Sequence, residues 1–134
     1  MMKKAIIIIS SIVLAILVLF IVLYFALTAP RFAGDFSTNE FQEEVDNINF
    51  RTEINYGKID DYKSAAKAGK NAIADRFENS DSGILEWMGC SVQYDDKNDA
   101  FYIRTYHVNP LVMGGAYNVI IQSDGTVIAI WGEK

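Results

Sequence analysis

Cys90 and His107 are the single thiol and the single imidazole in a chain of 134 residues, so nucleophilic chemistry is the first possibility to weigh. A cysteine becomes a strong nucleophile when a neighbouring base takes its proton, and a histidine on the adjoining strand could serve as that base. The two residues stand in successive runs with strand character, "ILEWMGCSVQY" and "AFYIRTYHV". The reaction also needs a group that orients the base and donors that receive an oxyanion, and neither accompanies this pair. His107 is therefore read as a packed or rim residue among aromatics. A His-based metal site finds no further ligands at a suitable spacing, and Cys90 has no partner for an internal disulfide.

The stretch "DDKND", Asp95 to Asp99, raises calcium next. A calcium loop places oxygen ligands at alternate positions, turns sharply at a glycine and closes with a bidentate glutamate. Here Asp95, Lys97 and Asp99 alternate, and neither glycine nor closing glutamate follows. A solvated hairpin turn is the expectation. Gly114 and Gly115 are read as permitting a strand start or bulge rather than cradling a phosphate, and no cofactor is expected. What the chain does offer is aromatic surface: Trp87, Tyr102, Tyr106, Tyr117 and Trp131 are dense for a small sheet. Large aromatics pack cores, and where they reach a surface they anchor protein interfaces. The candidate partner-binding residues are Trp87, Arg104, Tyr106, His107, Tyr117 and Trp131, with Glu86, Arg104 and Glu133 as a polar rim.

Several elements must position these residues. From Ala5 to Leu27 run 23 residues without a charge. As a helix they extend roughly 35 Å, enough to cross a hydrocarbon core of about 30 Å. A cleaved signal peptide, the rival reading, has an apolar region of about 7–15 residues. Lys3 and Lys4 precede the run, which predicts a single-pass anchor in the cell membrane with its amino end cytoplasmic and the remainder outside. Setting those two lysines aside leaves 10 Lys and Arg against 17 Asp and Glu, a formal balance of −7. Nucleic-acid binding needs a basic surface, so it is excluded as a function class, whereas a basic partner is compatible.

Beyond the anchor, residues 29–40 are rich in small and turn-forming types and read as a linker. Asn39 is placed to cap a short helix through Phe41, Val45 and Ile48, and Ile48 to Tyr56 alternates like a strand. "DDYKSAAKAGKNAIADRF" is the clearest soluble helix. Asp60 or Asp61 caps it, and Tyr62, Ala65, Ala66, Gly69, Ala72, Ile73 and Phe77 form one apolar stripe. The small residues in that stripe suggest close approach to a sheet. Three or four strands follow, the first bent or bulged near Gly89. The last two are joined by a tight turn in which Asp124 and Gly125 supply positive backbone angles. The fold class is α+β: an N-terminal transmembrane helix, then one main helix packed on a curved antiparallel meander. The predicted division is 1–28 anchor, 29–58 linker with a peripheral helix or strand, and 59–134 α+β domain.

From Ile59 to Lys134 the chain resembles bacterial immunity proteins with a nuclear-transport-factor-2-like fold. The resemblance rests on the alanine-rich helix, the strand "AFYIRTYHV" and the ending "GGAYNVIIQSDGTVIAIWGEK", with Gly114, Gly115, Tyr117, Asp124, Gly125, Trp131, Gly132 and Lys134 at the positions of the shared motifs. It implies a noncatalytic protein that binds and blocks a toxin, and with a membrane anchor added, a toxin met at the outer face. The helix-plus-meander is also similar to small PepSY-type domains that inhibit or regulate extracytoplasmic peptidases. The expected partner is thus another protein, foremost a toxin, with a second copy of the chain as a further candidate.

Overall fold

The computed structural model describes residues 1–46, 54–77, 88–108 and 115–133. Helix α1, Met2–Thr28, takes the whole apolar run and is long and apolar enough to cross a membrane. Its few hydroxyls return to the backbone: Ser10 and Ser11 donate to the Ile7 carbonyl at 2.9 and 2.8 Å, and Thr28 donates to that of Tyr24 at 2.7 Å. Such back-bonding satisfies these three hydroxyls within the helix, as an apolar medium requires. The helix stops because Pro30 disfavours helical geometry at the residue before it. Ala29 is extended, at φ −59° and ψ 136°, and its amide closes the last turn onto Phe25.

The expected linker is where the sequence reading fails. Pro30–Asp35 forms strand β1, hydrogen-bonded in parallel to β2, Met88–Asp95. Strand β3 is Ala100–His107, β4 Tyr117–Gln122 and β5 Val127–Gly132, and the sheet order is β1-β2-β3-β4-β5. Only β2 to β5 form an antiparallel meander, so the open five-stranded sheet is mixed. A parallel neighbour requires a long crossover, which the chain between β1 and β2 supplies. Pro30, and Gly34 at φ 94° beside a register shift, look like linker residues because an edge strand tolerates what an inner strand does not.

The short helix differs too. A 3₁₀ turn, Thr38–Phe41, runs into α2, Gln42–Asp46, and the cap position falls on Ser37 rather than Asn39. Ile48 and most of the predicted alternating strand lie outside the described residues, and residues 54–60 form no strand. The main helix is as expected: α3, Tyr62–Arg76, is capped by Asp61, whose carboxylate accepts from the Ser64 amide at 2.7 Å in a reciprocal capping box.

Two apolar layers enclose the sheet. On one face Ala65, Ala66, Ala72 and Ile73 of α3 are buried against Met88, Cys90, Val92, Ile103, Val119 and Ile121. A Cβ on Gly69 would lie 3.0 Å from both Cβ and Cγ1 of Ile103, so the helix rests on the middle strand by means of a missing side chain. On the other face Phe36, Phe41 and Val45 cover Ala100, Ile120 and Ala129, with Tyr102 and Trp131 between them. Gly89 lies in a continuous β2–β3 register rather than at a bulge. Its lack of a side chain admits the Tyr106 ring, which a Cβ would approach to 2.4 Å.

The terminal hairpin is seated by the chain that precedes α3. The Tyr56 amide donates to the Gly125 carbonyl at 3.1 Å, the Ile59 amide to that of Ser123 at 2.8 Å, and the Asn55 side chain to that of Asp124 at 2.9 Å. Of the turn pair, Gly125 alone takes a positive φ, 92°. The connection Ser123–Gly125 is a three-residue loop, which needs one left-handed residue rather than two. A Cβ there would also meet the Gly57 carbonyl oxygen at 2.5 Å. Gly125→Ala is therefore expected to cost about 2 kcal/mol or more, combining left-handed strain with overpacking. Gly69→Val is expected to cost about 1–3 kcal/mol through its contact with Ile103. Denaturant midpoints of the two variants, with unchanged slope, check both values.

Candidate functional site

The first candidate chemistry does not assemble. Cys90 lies opposite Thr105, and His107 lies opposite Met88, so the two are offset along the same face of adjacent strands. Cys90 is fully buried. Burial pushes its thiol up to about 11, only partly countered by the Lys70 ammonium. A protonated thiol at neutral pH is a weak nucleophile and behaves as a core residue. His107 is half-buried, and a Cβ on Gly115 would come to 3.0 Å from its Nε2. Gly115, at φ 75°, thus admits the imidazole while opening the approach to β4.

In the "DDKND" turn the Asp95 carboxylate is occupied by donors of the chain itself. Asp95 is buried. Its Oδ2 accepts from the Thr38 amide at 2.8 Å, the Thr38 hydroxyl at 2.6 Å and the Asn98 side chain at 2.8 Å, and its Oδ1 accepts from the Lys97 amide at 3.0 Å. Burial alone would raise its pKa. The donors from Thr38 and Asn98 outweigh that and hold the carboxyl well below the usual carboxylate range. Among the described residues, no group of three or more His, Cys, Asp or Glu could hold a metal ion.

The candidate binding residues divide between the two faces. His107 and Tyr117 point to the α3 side, where Tyr117 packs on Phe77 with ring centres 4.8 Å apart. Arg104, Tyr106 and Trp131 occupy the opposite face, since Gly89 pairs with Tyr106, Arg104 with Asn118 and Asn118 with Trp131. There Arg104 grips Glu133 through two 2.9 Å hydrogen bonds, Glu133 also accepts from the Asn118 side chain, and Asn118 accepts from the Tyr102 hydroxyl at 2.6 Å. Tyr102 stacks on Trp131 at 6.0 Å, and Phe41 covers both. Two members of the expected polar rim therefore pair with each other. Trp87, Glu86 and Gly114 lie outside the described residues.

Sequence reasoning missed a groove of about 650 Å³ at the far end of the sheet, opposite the junction with α1. Its walls are Phe32 on β1, Tyr62 at the start of α3, and Tyr94 and Phe101 beside the β2–β3 turn. Phe32 and Tyr62 have ring centres 6.1 Å apart, and Tyr94 and Phe101 4.8 Å. Phe32 keeps 55% of its surface exposed. Asp60, Asp61, Asp99 and Lys58 stand around the rim. Asp99, at φ 49°, accepts from the Ser123 and Tyr94 hydroxyls, which lower its pKa against the opposing effect of burial. Lys58 pairs with Asp60 at 3.3 Å. Nothing in the sequence alone joins these residues, because Phe32 belongs to a segment read as linker.

Comparison with protein-family models, characterised proteins and solved structures finds no match to this chain.

Replacing Asp95 with asparagine would turn an amide donor toward existing donors. Asp95→Asn is expected to cost about 1–3 kcal/mol at neutral pH. The native pKa is depressed, so the carboxylate's contribution is complete above the unfolded value near 3.9 and is lost as pH falls below it. The variant should accordingly lose less stability than the parent between about pH 5 and pH 2, which acid-dependent denaturation curves measure.

Proposed function

We propose that the chain is a membrane-tethered, noncatalytic binding protein, and specifically an immunity protein that neutralises a bacterial toxin by occluding its working surface. The observation that carries this reading is the placement of the groove. Helix α1 enters the sheet through Ala29 alone, and the exposed aromatic groove with its carboxylates lies at the opposite end. A tether at one end and an open, partly apolar surface at the other suit capture of a macromolecule arriving from solution. Lys3 and Lys4 support an orientation with the amino terminus in the cytoplasm and the sheet outside the cell.

Support also comes from the condition of the ionisable groups. Cys90 is held protonated by burial, Asp95 by contrast is fixed ionised by Thr38, and Glu133 is engaged by Arg104. Each has a structural partner or setting that accounts for it. The acidic surface would steer a toxin with a basic face and speed its association.

The test uses the full-length chain in lipid nanodiscs as bait for proteins secreted by the cells that make it. The expected result is capture of a toxin whose activity falls to background at one equivalent of the chain. A captured toxin that stays fully active would overturn occlusion. Selective capture of an extracytoplasmic peptidase would instead assign the chain to the PepSY-like regulatory class.

A further inference from the structure

We infer that the far-end groove is a receptor for a lysine or arginine side chain presented by a partner protein. The inference rests on the binding role proposed above and names the chemistry that this site selects. Two features of the groove combine. Phe32 and Tyr62 form one tilted ring pair and Tyr94 and Phe101 another, lining a space of about 650 Å³ that opens to solvent. Aromatic faces within about 6 Å attract a cation through the ring quadrupole. The rim is acidic, and so is the whole end of the domain. Among the described residues, the exposed aspartates there are Asp35, Asp60, Asp61, Asp96, Asp99 and Asp124, against Lys58, Lys63 and Lys97.

The pairing of Lys58 with Asp60 is almost wholly solvent-exposed, with side-chain exposures of 82% and 73%. Exposed pairs of this kind contribute little and rearrange readily, so an incoming cation can take Asp60 from Lys58. An apolar side chain would gain the aromatic walls but nothing from the rim. An anionic one would meet carboxylates. A guanidinium or ammonium on a flexible stem gains from both, its methylenes lying along the rings while its head reaches the carboxylates.

The site can be read without knowing the partner. The full chain in detergent micelles would be titrated with a tetra-arginine peptide and with its citrulline counterpart, a neutral analogue of nearly equal shape. Binding of the arginine peptide alone, weakened by added salt, is expected. Phe32→Leu should weaken it about threefold and Phe32→Tyr should restore it, a span set by an exposed cation–π contact. Because Phe32 is exposed on an edge strand, thermal melting of both variants should match the parent, which separates a binding defect from a folding one. Asp60→Asn should weaken binding, whereas Glu43→Gln on α2 should leave it unchanged. Equal binding of the citrulline peptide, indifference to Phe32→Leu, or equal loss from Glu43→Gln and Asp60→Asn would each overturn the inference. A captured and silenced toxin with an inert groove would leave occlusion standing and remove only this site. A groove that binds arginine in a chain that captures no toxin would do the reverse.

Discussion

The contact between Gly69 and Ile103 governs the spacing of the domain. Ile103 is fully buried on the middle strand, and it branches at Cβ, so it cannot swing aside without moving its backbone. Helix α3 can settle on β3 only where a side chain is missing. Ala65, Ala66, Ala68 and Ala72 extend that shallow stripe along the helix. Once the backbones are close, Ile73 can pack with Val92, Val119 and Ile121 in one apolar layer. The groove inherits the same spacing. Tyr62 is the first residue of α3 and Phe32 belongs to β1, so the 6.1 Å between their rings depends on how closely the helix lies on the sheet.

The opposite face is closed by chain that precedes α3. Phe36, Phe41 and Val45 supply the apolar cover, and Asp95 fixes its position by receiving both the amide and the hydroxyl of Thr38. A buried carboxylate with four or more donors is costly to form and specific once formed. It ties residues 57 positions apart to one turn. The two hairpin tips are joined as well, through the Ser123 amide on the Asp99 carbonyl and the hydroxyls of Ser123 and Tyr94 on the Asp99 carboxylate. Residues 55–59 then clasp the second tip. The polished terminal hairpin is thus a seat for the chain that leads into α3, and its Asp-Gly turn serves packing.

What the sequence disclosed was what local chemistry determines. The apolar run, an aspartate cap at position 60 or 61, the stripe of α3 and the meander strands each follow from composition or period over a short window. The parallel strand did not, since pairing with β2 is a long-range event and Pro30 and Gly34 carry the signature of a linker. Asp124 and Gly125 announced a turn but not its length, because the residue count between paired strands depends on register. The residues expected to bind a partner divide between the two faces of the sheet. Alternation separates His107 from Tyr106 and Tyr117 from Asn118, so residues adjacent in sequence serve opposite faces. The groove was illegible for the same reason as β1, as its first wall comes from the segment whose pairing the sequence conceals.

The separation of the two ends of the sheet also bears on what the acidic groove can sense. Strand β1 spans six residues from the α1 junction to Asp35, and at about 3.3 Å per residue that is roughly 20 Å. Screening in physiological salt acts over about 8 Å. With α1 across a membrane, charged lipid headgroups near Ala29 would be more than two screening lengths from Asp35 at the far end of β1. A site meant to grip headgroups would need its charges at the α1 end. A site meant to meet a diffusing basic partner gains by standing clear of the bilayer, where its field is unopposed and its aromatic walls face water.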